Sequence, residues 1–317
     1  MKAFTRSKYG GPEVLTLEEV ETPVVGESDI LVKVFANSAN PADWHLLRGK
    51  PFFARFVTGF PKPKIKTPGA DFAGMVMDAG PLVKRFRPGD FVFGETLKGG
   101  AFAEFACVPA GVCAIMPEKL PFTIMASLPV AGLTALQALI THGKLQAGEK
   151  VLINGGSGGV GHFAVQIAKA YGANVTAVCS SRNVDFVKNL GADQVIAYDK
   201  ENIHRHKGRY HLVIDAHGNL NYKDFVRMGA RGVVVGFTTM RHMGSLLLRK
   251  ALGSFPLVQF TAVANAKDLD TLAVLVLEGK LVPNIEKSYR YMDIPAAIGH
   301  IENMRTRGKV VMDWSDL

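Results

Sequence analysis

The chain has 317 residues, room for two domains of about 100–200 residues each. Hydrophobic residues make up 48% and charged residues 21%, which excludes a disordered or fibrous protein. Lys plus Arg number 37 against 28 Asp plus Glu, and the resulting +9 suits a phosphorylated small molecule as well as nucleic acid.

Met1-Lys2-Ala3-Phe4-Thr5-Arg6 alternates and runs into Gly10-Gly11-Pro12, so it reads as a first strand and not as a secretory signal. Further strands are expected over 29–36, 72–77, 90–93 and 101–108, with Gly and Pro between them, which predicts a mostly antiparallel β domain. Asp43 and His45 suit a general acid or an orienting pair; the alternative for Asp43, just after Pro41, is a helix cap. The stretch 48–60 holds four Phe, either the mouth of an apolar pocket or a packed loop. The basic clusters at 62–66, 84–87 and 204–207 do not alternate with aromatics, so surface loops are expected and no nucleic-acid partner.

Cys107, Cys113 and Cys179 form no disulfide framework and cannot supply a four-cysteine zinc site. Cys107 and Cys113 read as packing residues, and a reducing, cytoplasmic setting is expected. No apolar run approaches the ~18–20 residues of a membrane helix, because Arg249, Lys250 and Pro256 break the most apolar late stretch.

From Pro129 the pattern changes to helical periodicity, ended by Gly143. Strands over 150–154, 174–179, 194–197, 211–216 and 231–237 then alternate with helices over 160–171 and 184–190. Strands so uniformly apolar suit a parallel sheet covered on both faces. A helix over 269–277 and short segments ending in Lys309-Val310-Val311-Met312 complete the chain.

Between the first strand and helix of this unit lies Gly156-Ser157-Gly158-Gly159-Val160-Gly161, a G-x-G-x-x-G spacing. The chain there must turn tightly, let a pyrophosphate approach its backbone, and pack helix against strand. Amides near Gly159 and Val160 face the phosphates at the positive end of the helix. The next strand ends in Ser180-Ser181-Arg182-Asn183, with no carboxylate for a ribose 2′-hydroxyl. Two hydroxyls and a guanidinium favour the 2′-phosphate of NADPH, while Ser181 or Asn183 also suits a helix cap.

With its β-rich N-terminal part the chain resembles the zinc-independent quinone oxidoreductase branch of the medium-chain dehydrogenase/reductase superfamily. The resemblance rests on 39–43, 68–74, 87–90, 103–105, 132–135, 158–161, 190–193 and 308–311. It implies a GroES-like catalytic domain (1–124 and 261–317), a Rossmann doubly wound parallel sheet domain inserted within it (125–260), and a substrate cleft where they meet. It further implies that Asn40 and Thr134 lie near the nicotinamide, that Tyr198 helps hold the 2′-phosphate, and that Gly236, Phe237, Gly308 and Lys309 line the cofactor cleft. The zinc-ligand positions of the superfamily read Asn37-Ser38 and Gly69-Ala70-Asp71, without sulfur or imidazole, so no catalytic metal is expected.

The expected activity is metal-free, NADPH-dependent hydride transfer to a quinone or enone, with Asn40 and Asp43 as candidate catalytic residues. The alternative is an NADPH-binding regulatory or interaction protein with incidental redox activity. Pro256 suits the strand 255–260 to a sheet edge, where a homodimer is expected to pair.

Overall fold

The computed structural model describes residues 1–52, 55–235, 244 and 253–317. They fall into two compact units, Met1–Val130 with Ala264–Leu277 and Ile285–Leu317, and Ala131–Val263 with Glu278–Asn284.

The first unit opens with an antiparallel ribbon of β1 (Lys2–Thr5) and β2 (Thr16–Glu19). Its main sheet contains β3 (Asp29–Ala39), β4 (Asp71–Ala79), β5 (Phe91–Glu95), β6 (Phe105–Pro109) and β7 (Cys113–Ile115). Strand β3 alternates half-buried residues with the buried Ile30, Val32 and Val34, then continues three residues beyond the expected end, through Asn37-Ser38-Ala39. Buried polar side chains continue it, because neighbouring strands satisfy them: Asn37 Nδ2 donates to the carbonyls of Asp71 and Ala101 at 3.0 and 2.8 Å. The strand expected from residue 101 begins only at Phe105, since Ala101 and Phe102 donate their N–H groups to Gly69 and Pro68.

Among the described residues the second unit holds a six-stranded parallel sheet of β8 (Lys150–Asn154), β9 (Asn174–Cys179), β10 (Gln194–Ala197), β11 (Tyr210–Asp215), β12 (Gly229–Val234) and β13 (Leu257–Gln259), ordered β10-β9-β8-β11-β12-β13. Strands β8, β9 and β11 are buried along their last four or five residues, the reason for their largely apolar composition. The helix Gly159–Ala170 packs Phe163, Val165 and Ile167 inward. The helix Pro129–Leu136 continues as a π-helical turn over Gln137–His142 before Gly143. Among the described residues β13 is the last strand of the sheet, directly after Pro256, the edge position expected of this segment. Gly236 and Phe237 lie outside the described residues.

The chain then returns to the first unit as β14 (Ile285–Arg290) and β15 (Lys309–Asp313), extending the first sheet in the order β14-β15-β3-β4-β5-β7, with β6 along the first half of β3. Its core joins Phe4, Phe72 and Phe102 to Tyr291 and Trp314, whose rings stack at 4.8 Å.

Candidate functional site: a glycine loop and a buried polar row

In the second unit the loop after β8 turns through Gly155, whose φ of +87° favours glycine. Gly155 and Gly156 both donate their N–H groups to the Val178 carbonyl, tying the loop to β9. A Cβ on Gly161 would stand 2.0 Å from the Gly155 oxygen, so glycine alone lets the helix start so close to the loop. Gly158 is different: a Cβ there would meet only the Gly155 oxygen, at 3.5 Å. Gly158 is the N-cap of the helix Gly159–Ala170 and brings no side chain to cover the amides of Gly159 and Val160. The loop is a cradle that one side chain would fill, and it fits a pyrophosphate.

At the end of β9, Asn183 Nδ2 donates to Ser157 Oγ at 3.0 Å, fixing Ser157 against the turn Ser181–Asn183. Asn183 is buried, Ser181 half-buried, and Arg182 and Tyr198 exposed. Tyr198 follows β10, tied by its N–H to the Cys179 carbonyl at 3.0 Å. Beside it a cavity of about 410 Å³ is lined by Tyr198, Asp199, Asn202, His204 and Asn219. Asp199, which sequence reasoning missed, accepts from both the N–H and Oγ of Ser181, at 2.8 and 2.5 Å. Its only signal was its place directly after Tyr198. Thr134 is buried on the helix Pro129–Leu136.

In the first unit, strand register sets Ser38 opposite Asp71 and Asp71 opposite Glu95, a polar row on one face of β3, β4 and β5. Ser38 Oγ donates to Asp71 Oδ2 at 2.5 Å, and Asn40 Nδ2 donates to the same oxygen at 2.8 Å. The N–H of Val130 reaches Asp71 Oδ1 at 2.9 Å. Lys309, 2% exposed, places Nζ 2.6 Å from Asn40 Oδ1 and 3.3 Å from Asp71 Oδ2. The expected site residues Asn40 and Lys309 thus meet in one buried network with Asp71. Gly308, at φ +74°, leads into β15 just before Lys309.

Asn40 is the N-cap of the helix Pro41–Arg48, and Asp43, three residues on, completes the capping box: its Oδ2 accepts from the Asn40 N–H at 2.8 Å. Burial, and then the charge of Asp71, push its carboxyl up to about 7; the same causes in the same order, with Asp43 adding to them, push Glu95 up to about 8. Glu95 Oε2 is buried without a hydrogen-bond partner. His45 stacks on Trp44 at 3.7 Å, and burial lowers its basicity. The packed-loop reading of the Phe stretch does not hold: Phe52, Phe56 and Phe60 are each more than half exposed and group at 5.7–6.3 Å, while Phe53 lies outside the described residues. Burial pushes the thiols of Cys107 and Cys113 up, in keeping with packing roles.

A family model described as an alcohol dehydrogenase GroES-like domain matches residues 26–118, and one described as a zinc-binding dehydrogenase matches 190–312. A chloroplast envelope quinone oxidoreductase homolog of Arabidopsis thaliana is 33% identical over 99% of this chain and 98% of its own. An NADPH-dependent alkenal/one oxidoreductase of the same plant is 33% identical over 98% of this chain and 79% of its own. Among solved structures, a quinone oxidoreductase from Coxiella burnetii is similar with a TM-score of 0.88 and 32% identity, covering 99% of each chain. The chain belongs to the quinone oxidoreductase branch of the medium-chain dehydrogenase/reductase superfamily.

One matching model of this superfamily is described by its zinc, and the polar row tests that metal. Around Asp71 the donors are a hydroxyl, an amide, a backbone N–H and an ammonium, and three of the four already meet one carboxylate oxygen. The Lys309 ammonium itself supplies the positive charge there. Thiolate and imidazole, the ligands zinc prefers, are absent from this set, so these residues do not fit a zinc ion. Neither Glu95 nor Ser38 stood out in the sequence as a partner of Asp71, because only strand pairing aligns residues so far apart.

Proposed function

We propose that this quinone oxidoreductase family member oxidises NADPH and delivers the hydride to a quinone or an α,β-unsaturated carbonyl. The observation that carries the reading is the bare cradle at Gly158, held open by the close packing of Gly161 under Gly155. NADPH, when bound, supplies the hydride. The chain's part is to bind and to orient. The amides of Gly159 and Val160 take the pyrophosphate, while Ser181, Arg182 and Tyr198 take the 2′-phosphate. An acceptor with a conjugated carbonyl or quinone spreads the arriving charge onto its own oxygen, so the reaction needs no Lewis acid of the kind this polar row does not fit.

Pairing of two chains along β13 belongs to the same proposal, supported by the place of that strand at the end of the sheet. The test is NADPH oxidation, followed by absorbance, against a panel of quinones, enones and saturated aldehydes. Turnover of quinones or enones but not aldehydes is expected. Tight NADPH binding with no consumption across the panel would instead return the regulatory reading.

A further inference from the structure

Ser181 is one of the residues, with Ser180 and Arg182, through which the turn after β9 is expected to meet a 2′-phosphate, and it is already engaged. The Asp199 carboxylate takes both Ser181 donors, the N–H at 2.8 Å and the hydroxyl at 2.5 Å. Asp199 also lines the cavity of about 410 Å³ that opens beside Tyr198 and Asn219, at the carboxyl ends of β10 and β11. In an open α/β sheet this is the end where a dinucleotide lies.

We propose that Asp199 sets cofactor preference by competing with the 2′-phosphate for Ser181, so that the chain discriminates between NADPH and NADH less than Ser181, Arg182 and Tyr198 alone would dictate. The proposal rests on the reading of this loop as an NADPH site.

The competition is one of like charges for the same donors. Hydrogen bonds from Ser181 hold the Asp199 carboxyl below its usual range, so it is an anion at neutral pH. A 2′-phosphate that engages Ser181 must displace one carboxylate oxygen and then sit beside the displaced charge. The ribose hydroxyl of NADH meets no such opposition, since it can donate to the carboxylate in place. Asp199 thus acts against the phosphate that Arg182 attracts, and the two residues follow β10 and β9, neighbours in the sheet.

The test compares dissociation constants of NADPH and NADH, read from the fluorescence of the bound nicotinamide, for wild type and Asp199→Asn. Adenosine 2′,5′-bisphosphate and adenosine 5′-monophosphate serve as further probes by calorimetry. Asp199→Asn keeps the shape and removes the charge on an exposed side chain. NADPH and the bisphosphate should bind it roughly 3- to 10-fold more tightly than wild type, with NADH and the monophosphate within about twofold. In a Ser181→Ala background the gain should shrink, because the contested hydroxyl is gone. Equal changes for both cofactors, or none, would overturn the role of Asp199 while leaving the NADPH site standing. Failure of wild type to bind either cofactor would overturn the site and the role of Asp199 together.

Discussion

Lys309 on the last strand donates to Asn40 at the end of β3, 269 residues earlier in the chain, across 2.6 Å in a buried setting. Both then reach the same oxygen of Asp71. A buried cation so placed is a counter-charge before it is anything else. Lys309→Met should leave Asp71 as an uncompensated buried carboxylate and cost about 3–5 kcal/mol. Denaturant unfolding measures it, and adding Asp71→Asn should return a large part of the loss. A Lys309→Met protein as stable as wild type would show that the pair is not coupled.

Glu95 gives the protein a pH dependence of definite sign. Its carboxyl is pushed from an ordinary value of 4.5 up to about 8, by burial first and by Asp71 and Asp43 after it. Between those values the folded protein holds a proton that the unfolded chain has released, so stability falls as pH rises through the window. Asp43, raised to about 7, acts in the same direction. Glu95→Gln removes the Glu95 share: at pH 9 its Tm should exceed that of wild type by roughly 3–6 °C, with near equality at pH 5. A constant difference at both pH values would exclude titration of Glu95.

The two glycines of the loop should separate binding from folding. Gly158→Val adds a side chain where the protein offers one contact at 3.5 Å, so the fold should persist while NADPH affinity drops about 50-fold or more. Gly161→Ala drives a methyl to 2.0 Å from the Gly155 oxygen and should lower stability by about 1–3 kcal/mol. Circular dichroism melts and NADPH titrations on both proteins check the contrast.

Arg182→Ala should weaken NADPH about 10-fold or more while changing NADH little, because a guanidinium pairs with the 2′-phosphate by charge-assisted bonds. Raising the salt concentration should narrow the wild-type preference for NADPH. Titrations of both cofactors at two ionic strengths decide it; equal losses for the two would make Arg182 no more than part of the turn Ser181–Asn183.

Three strands of the parallel sheet, β8, β9 and β10, were legible to the residue, ending where the apolar runs end, whereas β12 starts two residues before the expected 231 and β13 is shorter than the expected 255–260. Burial on both faces writes itself into composition. The antiparallel sheet was less legible wherever pairing outweighs pattern: β3 runs on through Asn37 and Ser38 because partners 34 and 33 residues away satisfy them. The glycine cradle could be read because its demands are local, a turn, a close approach and a helix start. The row Ser38–Asp71–Glu95 and its link to Lys309 could not, since no short window contains two of its members. Asp199 escaped notice for a related reason: it stands 18 residues after Ser181, and only the adjacency of β9 and β10 brings them together.

The place of β15 between β14 and β3 has a consequence for biosynthesis. A ribosome delivers the amino end first, so β3, β4 and β5 emerge long before the strand that covers Ala36–Ala39. Until residues 309–313 are made, that edge of β3 stands unpaired and Asp71 lacks its lysine. All strands of the parallel sheet are available once Gln259 has left the ribosome. The unit begun first is therefore finished last, and a nascent chain stalled after β13 would hold every described strand of the parallel sheet while the first sheet is still open.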